Sequence, residues 1–462
     1  MISRYSIKMN LLTLFFHLNI FTKISLFIKM SRPKIKIVTL GCSKNTVDSE
    51  KLIKQLELNG SKVVYDETDD LPCEVVIINT CGFINDAKEE SIDTILEFVK
   101  KKEEGKIKKI YVIGCLSQRY RSELRDEIPE VDSFFGVNET NKLLRELNLK
   151  YDKSALSQRT LTGPGHYAYL KISEGCDRKC SFCAIPGIRG RYQSQPLDYL
   201  LKEATALAEM GVKELILVAQ DLCYYGYDMG KRNMLPKLVD KLLELNMFEW
   251  IRLHYLYPTT DFPWEIIEII RNNPSLCRYI DIPIQHISDN VLSSMKRSHN
   301  RKETEEILYR IRHDIPEAAI RTTLITGFPG ETDNDFRELY DFIKEFRFDR
   351  LGAFTYSHEE GTTAHKKLND DVPQKLKEER MSSLMELQQT IALELNESKI
   401  NKVYNTIIDR KEGEYYVGRT EFDSPEVDQE VLIETDHNLK IGKFYGIKIT
   451  RSFGFDLFGV PI

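Results

Sequence analysis

The sequence lacks an excess of positive charge. Its 65 Lys and Arg against 71 Asp and Glu give a formal net charge of −6. Such a chain has no general attraction to phosphate backbones, so nucleic-acid binding would need separate evidence. Cysteines are also few, nine in 462 residues, which excludes a disulfide-stapled secreted scaffold and favours thiol chemistry in a reducing cytosol. The chain has no internal repeat and no phosphate-binding loop of the G-x-x-x-x-G-K type.

One apolar run, from Leu11 to Ile28, approaches the length of a membrane span. Asn19 and Lys23 interrupt it and no small-residue cleavage site follows, which argues against a signal peptide. We expect residues 1–29 to be an extension outside the fold, non-native or disordered, with a membrane tether as the alternative. Hydrophobic residues at 42% and charged residues at 29% are ordinary for a globular protein, and a chain of 462 residues favours three domains.

Each of three predicted strands runs into a cysteine and then into a helical stretch. The strands are Lys34–Leu40, Glu74–Asn79 and Lys109–Ile113, and the cysteines are Cys42, Cys81 and Cys115. This alternation predicts an α/β domain with a doubly wound parallel sheet, in which ligands bind at the carboxyl ends of the strands. A lone cysteine is more often a small buried residue, but three at equivalent positions favour a shared role. Zinc would want a fourth ligand, whereas three thiolates suit an iron-sulfur cluster with one iron left free.

The strongest signal is the segment Ser173–Cys183, which follows a strand predicted at Tyr167–Ile172. It places Cys176, Cys180 and Cys183 four and then three residues apart in a loop. Thiols at this spacing can wrap one face of a four-iron four-sulfur cluster and leave one iron open. Zinc is the weaker alternative, because two separated C-x-x-C pairs are absent and His166 lies at the far end of the strand.

Five more strands follow at intervals that leave room for helices. They are predicted at Glu214–Ala219, Ile251–Leu256, Tyr279–Pro283, Ile320–Ile325 and Arg350–Thr355. With the cysteine strand they make six βα units, and a partial (βα)6 barrel is expected. Polar residues gather where these strands stop, at the rim where parallel barrels carry their sites. Gln220, Gln285 and His286 are such residues, although each taken alone is more often structural.

The form C-x-x-x-C-x-aromatic-C at Cys176 resembles the radical S-adenosylmethionine (radical SAM) superfamily. The resemblance implies that the open iron binds S-adenosylmethionine, and that the reduced cluster cleaves it to a deoxyadenosyl radical. The turn Gly327-Phe328-Pro329-Gly330 is similar to the glycine-rich segment that lies beside the adenosyl group in that superfamily. The candidate cofactor-binding residues are Phe182, Gln220, Gln285, Gly327, Pro329 and Gly330. No catalytic proton-transfer residue is assigned.

The whole chain after Met30 resembles the methylthiotransferases of this superfamily. The resemblance implies an N-terminal methylthiotransferase domain at 34–150, a radical SAM domain at 162–393 and a TRAM domain, a small antiparallel β-barrel, at 396–462. It also implies two four-iron four-sulfur clusters. Cys42, Cys81 and Cys115 would hold the auxiliary cluster that delivers sulfur, and Cys176, Cys180 and Cys183 the radical-generating one. Gln374–Leu395 predicts a surface helix that links barrel and tail.

Two substrates compete within this family, an adenosine in transfer RNA and an aspartate of a small-subunit ribosomal protein, the twelfth of the subunit. The segments Leu40–Glu50, Asp281–Ser288 and Gly418–Asp428 resemble the branch that inserts the methylthio group at the aspartate β-carbon, except that proline is common there at the place of Ser43. In residues 396–462, nine Lys or Arg stand against twelve Asp or Glu. Such an acidic tail suits a basic protein better than RNA.

The resemblance therefore implies a cytoplasmic transferase that acts on a ribosomal protein, free or on the assembled ribosome. A reductant protein would be a second partner, with no membrane and no direct transfer-RNA substrate. A transfer-RNA methylthiotransferase is the first alternative. A non-catalytic iron-sulfur protein that binds ribosomes or carries electrons is the second. The electron donor, the sulfur source and the oligomeric state are left open by the sequence.

Overall fold

A computed structural model describes residues 33–65, 73–435 and 438–462 of the chain. The extension expected at 1–29 lies outside the described residues. Within these ranges, no helix is both long enough and apolar enough to cross a membrane. The chain forms an α/β unit, a parallel barrel and a small β-barrel, in that order, which confirms the predicted fold class.

The N-terminal unit is a parallel sheet with helices on both faces. Its elements in chain order are β1 (Lys34–Thr39), α1 (Ser43–Leu58), β2 (Lys62–Val64), β3 (Val75–Thr80), α2 (Asn85–Glu103), β4 (Lys109–Gly114), α3 (Cys115–Arg119), α4 (Arg121–Glu127), β5 (Ser133–Phe134) and α5 (Thr140–Glu146). The strand order is β2-β1-β3-β4-β5, and β3 is buried along its whole length. Successive residues of β3 enter different cores, Ile77 with Leu52 and Ile78 with Phe98. This is the doubly wound arrangement that the sequence predicts.

The central unit is built from six parallel strands with helices outside. Its elements are β6 (Tyr167–Lys171), β7 (Ser173–Glu174), α6 (Ile185–Arg189), β8 (Gln193–Ser194), α7 (Leu197–Glu209), β9 (Glu214–Val218), α8 (Met234–Glu244), β10 (Trp250–Leu253), α9 (Glu265–Asn272), β11 (Tyr279–Asp281), α10 (Asp289–Ser294), α11 (Arg301–Asp314), β12 (Ala319–Thr326), α12 (Asp333–Phe346), β13 (Arg350–Thr355), α13 (Thr363–Lys367) and α14 (Gln374–Glu397). The wall runs β6-β9-β10 and β11-β12-β13, joined by a bridge between Ile251 and Leu276. Among the described residues β13 and β6 do not pair, so the barrel is partial.

The helix predicted as a surface linker is in fact part of the barrel. α14 buries Leu384 and Ile391 in the same apolar core as the barrel strands and helices. Gln388 donates a hydrogen bond to the Phe348 carbonyl at 2.9 Å, just before β13. The helix therefore covers the outside of the last strand, and the chain leaves the barrel only at its end.

The C-terminal unit is a closed barrel of five strands. They are β14 (Val403–Glu412), β15 (Tyr415–Thr420), β16 (Val431–Glu434), β17 (Phe444–Phe453) and β18 (Asp456–Pro461). Their order is β14-β15-β16-β18-β17, and every pairing is antiparallel except β16 with β18, which is parallel. A parallel pair needs a crossover, which the intervening β17 provides.

This small barrel packs against the amino ends of the parallel strands. Arg419 donates to Glu214 at 2.8 Å, and Asp423 accepts hydrogen bonds from Arg350. Glu214 and Arg350 are the first residues of β9 and β13. The C-terminal unit therefore closes the bottom of the central barrel and leaves the carboxyl ends of its strands to the N-terminal unit.

Candidate active site

Cys42, Cys81 and Cys115 lie at the carboxyl ends of β1, β3 and β4, which are neighbours in the sheet. Burial is the main cause that raises the pKa of Cys115 to about 12. The charge of Arg189 acts against this rise, and the charges of Cys42 and Cys81 add to it. Burial also opposes ionisation of Cys42, but the charges of Lys44 and Arg189 outweigh it and lower the pKa of that thiol. The structure thus brings the three thiols together at one edge of the sheet, beside two cations.

Asn45 ties this edge together, although the sequence reasoning did not single it out. In the first turn of α1, its side-chain amide donates to the carbonyls of Leu40 at 2.8 Å and Thr80 at 3.1 Å. Its carbonyl oxygen lies 3.9 Å from the Sγ of Cys115 and accepts from Arg189 Nη2 at 2.6 Å. One side chain therefore connects two strand ends, a candidate ligand and a cation of the central unit.

Arg189 crosses from the central unit into the auxiliary cysteine site. Its side chain, at the end of α6, is 1% exposed and donates to Glu174 at 2.8 Å and Asp48 at 3.2 Å. Lys171 bonds the same two carboxylates. Two buried cations thus face two partly buried carboxylates at the boundary of the units, and no sequence pattern pointed to this set.

The loop that holds Cys176, Cys180 and Cys183 follows β7 directly. Gly175 has φ +72°, and a Cβ there would lie 2.2 Å from the Arg191 carbonyl oxygen, so only glycine fits. Burial, together with the charges of Cys180 and Cys176, raises the pKa of Cys183 to about 12. The structure therefore brings this second set of thiols together as well.

Cations and backbone donors surround the second set. Arg297 Nη1 lies 3.6 Å from Cys180 Sγ, and the Arg178 N–H donates to Cys176 Sγ at 3.4 Å. All three thiols line a cavity of about 520 Å³ that Arg119 of the N-terminal unit also lines. Iron would supply the positive charge that deprotonates these buried thiols. Within the described ranges no three Cys, His, Asp or Glu side chains converge as on a single metal ion. Three thiolates are the donor set that a four-iron four-sulfur cluster with one open iron uses, and the residues present fit that group.

A larger cavity of about 780 Å³ lies beside this loop and is bounded by both units. Phe182 and Gln285 line it from the barrel, and Phe83, two residues after Cys81, lines it from the N-terminal unit. Phe354 also faces it, with 53% of its side chain exposed. Aromatic side chains left in contact with water at a cavity mark a binding surface.

The predicted cofactor-binding residues separate in the structure. Phe182 and Gln285 face the larger cavity, and Gln285 has φ +71°, an uncommon conformation held by hydrogen bonds with Thr323 and Ile325 at 2.9 Å. Gln220, Gly327, Pro329 and Gly330 line neither this cavity nor the one at the cysteine loop.

The glycine turn has a clear structural role. Gly327 donates to the Glu331 carboxylate at 2.7 Å, and a Cβ on it would lie 2.1 Å from Lys377 Cγ. The turn is therefore packed against α14. His286 is fully buried, which lowers its pKa to about 3, so it is no exposed rim residue. Roles toward the cofactor stay predictions for all six candidates.

Three known families match successive parts of the chain. The family described as an uncharacterized protein family, UPF0004, matches residues 34–136. The radical SAM superfamily matches 170–343, and the TRAM domain matches 400–462. Among solved structures, the radical SAM methyltransferase TsrM from Kitasatospora setae is similar in fold, with a TM-score of 0.52 and 15% identity. The matched part is 70% of this chain and 75% of the TsrM chain. At that identity, the similarity shows the fold alone.

Much closer relatives share nearly the whole chain. The ribosomal protein uS12 methylthiotransferase RimO of Phocaeicola vulgatus is 54% identical over 93% of this chain and 99% of its own length. RimO of Christiangramia forsetii is 52% identical over 94% of this chain and 95% of its own length. The chain belongs to the RimO family. As a member of the RimO family, it is a radical SAM methylthiotransferase, with S-adenosylmethionine and two four-iron four-sulfur clusters as cofactors.

Proposed function

We propose that the chain inserts a methylthio group at the β-carbon of an aspartate in ribosomal protein uS12. The observation that carries this proposal is the pair of three-thiol sites, one in each unit, beside one cavity of about 780 Å³ that both units line. Sulfur insertion at an unactivated carbon needs a radical source and a sulfur source close to one substrate. The relatives are named uS12 methylthiotransferases, and they span nearly the whole chain.

We assign the ligands by site. Cys176, Cys180 and Cys183 would hold the cluster that leaves an iron for S-adenosylmethionine, and Cys42, Cys81 and Cys115 would hold the auxiliary cluster. When bound, these groups supply a hydrogen-abstracting radical and the sulfur that replaces the hydrogen. The same assignment gives a methylthiotransferase domain at 34–150, a radical SAM domain at 162–393 and a TRAM domain at 396–462. Each cluster then belongs to a different domain.

The residues of the chain shape the space in which the reaction proceeds. Phe182, Phe354 and Phe83 surround the larger cavity with aromatic surface, which would exclude water from a radical and from the substrate carbon once the substrate fills the cavity. Gln285 offers a polar group in the same wall. Arg297 and the Arg178 N–H face the sulfur atoms of the radical site and stabilise negative charge there.

The partners follow from the substrate. A ribosomal protein places the reaction in the cytoplasm, on the free protein or on the assembled small subunit. A reductant protein must supply electrons to the radical cluster, and no direct transfer-RNA substrate is expected.

Mass spectrometry of uS12 tests the proposal directly. Purified uS12 and small subunits from cells that lack this protein would be incubated with the reconstituted chain, S-adenosylmethionine and dithionite. We expect one methylthio group on an aspartate, and the unmodified mass would contradict the proposal. Nucleoside analysis of transfer RNA from the same cells tests the adenosine substrate. If reduced protein formed no deoxyadenosine, the chain would be a non-catalytic cluster protein.

A further inference from the structure

An apolar groove of about 620 Å³ lies between α2 and α4 on the N-terminal unit, outside the sites described above. Leu116, Leu124 and Ile128 form its buried floor, and Ile92 and Leu96 of α2 form one wall. Leu96 is 47% exposed, although its neighbours Ile95 and Phe98 are buried in the core. A leucine exposed beside an open apolar groove is typical of a surface that binds another chain.

Carboxylates surround this groove. Glu89 of α2 and Glu123 and Glu127 of α4 line it, and all three are exposed. Helix α4 has the sequence RSELRDE, and its glutamates face the groove whereas neither of its arginines lines it. Lys88 also lines the groove, but its charge is paired with Glu359 of the central unit at 2.9 Å. The rim therefore carries net negative charge over an apolar floor.

The groove leads toward the proposed reaction site. Asn85, the first residue of α2, lines both the groove and the larger cavity of about 780 Å³. Asn85 comes four residues after Cys81 in the sequence. A polypeptide bound along the groove can therefore continue past Asn85 into the space beside both thiol sites.

We propose that this groove binds a basic segment of the ribosomal protein substrate, whose apolar side chains cover Leu96 and whose Lys or Arg pair with Glu123 and Glu127. The inference rests on the proposed function and adds the place where the substrate is recognised. An apolar groove with a charged rim is the form in which many proteins hold amphipathic segments. Ribosomal proteins are basic because they bind RNA, so their charge complements this rim. RNA itself would meet like charge here.

The test uses the full-length reconstituted chain with two variants. Leu96→Lys places a cation on the apolar wall, and Glu123→Lys combined with Glu127→Lys reverses the rim. We expect each variant to raise the Kd for fluorescently labelled uS12 by about tenfold. The KM in the modification assay should rise by about the same factor, and kcat should stay at the wild-type value. The matched control is Leu58→Lys at the end of α1, because Leu58 is 48% exposed and lies outside the groove. It should bind and modify uS12 as wild type does.

Each outcome decides the proposal. If wild type modifies uS12 and Leu96→Lys keeps the wild-type Kd and KM, the groove proposal is wrong while the proposed function stands. If wild type neither binds nor modifies uS12, the proposed function fails and the groove proposal fails with it. A variant that loses turnover with a protein reductant but not with dithionite, and still binds uS12, would make the groove a reductant surface and overturn the proposal. A change in transfer-RNA binding alone would also overturn it.

Discussion

At the residue scale, Gly114 controls where Cys115 lies. It ends β4 with φ +99°, and a Cβ there would lie 2.5 Å from the Asn79 side-chain oxygen and 2.6 Å from the Thr80 carbonyl oxygen. Neither oxygen can shift without cost. The Thr80 oxygen belongs to the backbone of β3, and the Asn79 side-chain amide donates hydrogen bonds to the Asn45 carbonyl and the Ser49 hydroxyl. The backbone turn therefore fixes the direction of the thiol that follows.

Gly114→Ala should displace Cys115 and prevent the auxiliary cluster from forming. We expect iron after anaerobic reconstitution to fall from about eight to about four atoms per chain. Gly105→Ala is the matched control, since Gly105 also has positive φ, +73°, but nothing lies within 4 Å of its added Cβ. It should cost only about 1 kcal/mol of stability and keep all of the iron. Equal iron in both variants would contradict this role of Gly114.

Single cysteine substitutions separate the two sites. Cys180→Ala should abolish deoxyadenosine formation, because two thiolates do not hold the cluster. Cys81→Ala should keep deoxyadenosine formation and stop methylthio transfer. Cys73→Ala is the control, since Cys73 is buried in the core of the N-terminal unit. Deoxyadenosine and modified uS12 would be measured by mass spectrometry, and retention of both activities by Cys81→Ala would refute the auxiliary-cluster assignment.

Sequence reasoning found the thiols but not the residues around them. Spacing and strand ends are local signals, and from them the positions of all six cysteines follow, while their role as ligands stays a prediction. Asn45 and Arg189 act through contacts between residues far apart in the chain, which no local pattern encodes. Lys44 is similar, because its side chain reaches the Tyr255 ring of the central unit, with Nζ 3.7 Å from the ring centre.

At the scale of elements, the start of α12 depends on a capping box. The Thr332 hydroxyl accepts from the Asp335 N–H at 3.2 Å, and the Asp335 carboxylate accepts from the Thr332 N–H at 2.9 Å. Burial opposes ionisation of Asp335, but hydrogen bonds from Ser288, Thr332 and Asn290 outweigh it and lower its pKa to about 2. This carboxylate therefore joins the cap of α12 to the segment before α10.

Asp335→Asn should lower the free energy of unfolding by about 2 kcal/mol at pH 7. The folded pKa lies below the ordinary value of 3.8, so the stabilisation is complete above about pH 4 and is lost as the pH falls toward 2. Urea unfolding at pH 7, 4 and 3 should show the gap between wild type and variant closing. Asp341→Asn, exposed later in the same helix, is the control. A gap that stayed constant with pH would refute the electrostatic origin.

Element prediction succeeded where the alternation of apolar residues was clear and failed where it was short or masked by polar residues. β13 has the bounds that the sequence predicts, Arg350–Thr355. β7 and β8 have two residues each, too few to show an alternation, yet they hold the cysteine loop against the following segment. The sequence predicts the helix Gln374–Leu395 with the correct start but places it on the surface, because its polar residues hide a narrow apolar stripe that packs on the barrel.

At the scale of the whole molecule, buried charges hold the N-terminal and central units together. Arg189 and Lys171 of the central unit face Asp48 of α1, and Glu174 lies between the two cations. Removing Arg189 leaves two carboxylates, Asp48 and Glu174, with Lys171 as the one cation between them, so one negative charge at the boundary loses its match.

Arg189→Met should therefore lower the free energy of unfolding by about 1.5–3 kcal/mol. Urea unfolding measures the loss, and limited proteolysis should show the two units separating first. Arg191→Met supplies the control, because the Arg191 side chain is 87% exposed and its only ion pair in the described structure is with Asp177. A loss below about 1 kcal/mol in Arg189→Met would show that the buried set contributes little.

The tail shows the limit of counting charges. The net acidity of residues 396–462 predicts a surface suited to a basic partner. In the structure, however, Asp423 pairs with Arg350 and Asp428 with Arg321 at the base of the barrel. Part of the acidic charge is thus neutralised inside the molecule, and the tail lies at the end of the barrel opposite to the cysteine loop. The acidic surface that lies beside the reaction site is instead on α2 and α4.

The charges buried between α1 and the central unit also limit how such enzymes exchange parts. A hybrid that joins the first 150 residues of one homologue to the barrel of another would pair a foreign Asp48 and Asn45 with the Arg189 and Lys171 of its host. We therefore expect hybrids joined at the linker to fold only when the two parents match at these positions. The two domains are therefore one unit for exchange, because Asp48 and Asn45 on one side and Arg189 and Lys171 on the other keep their contacts only when they move together.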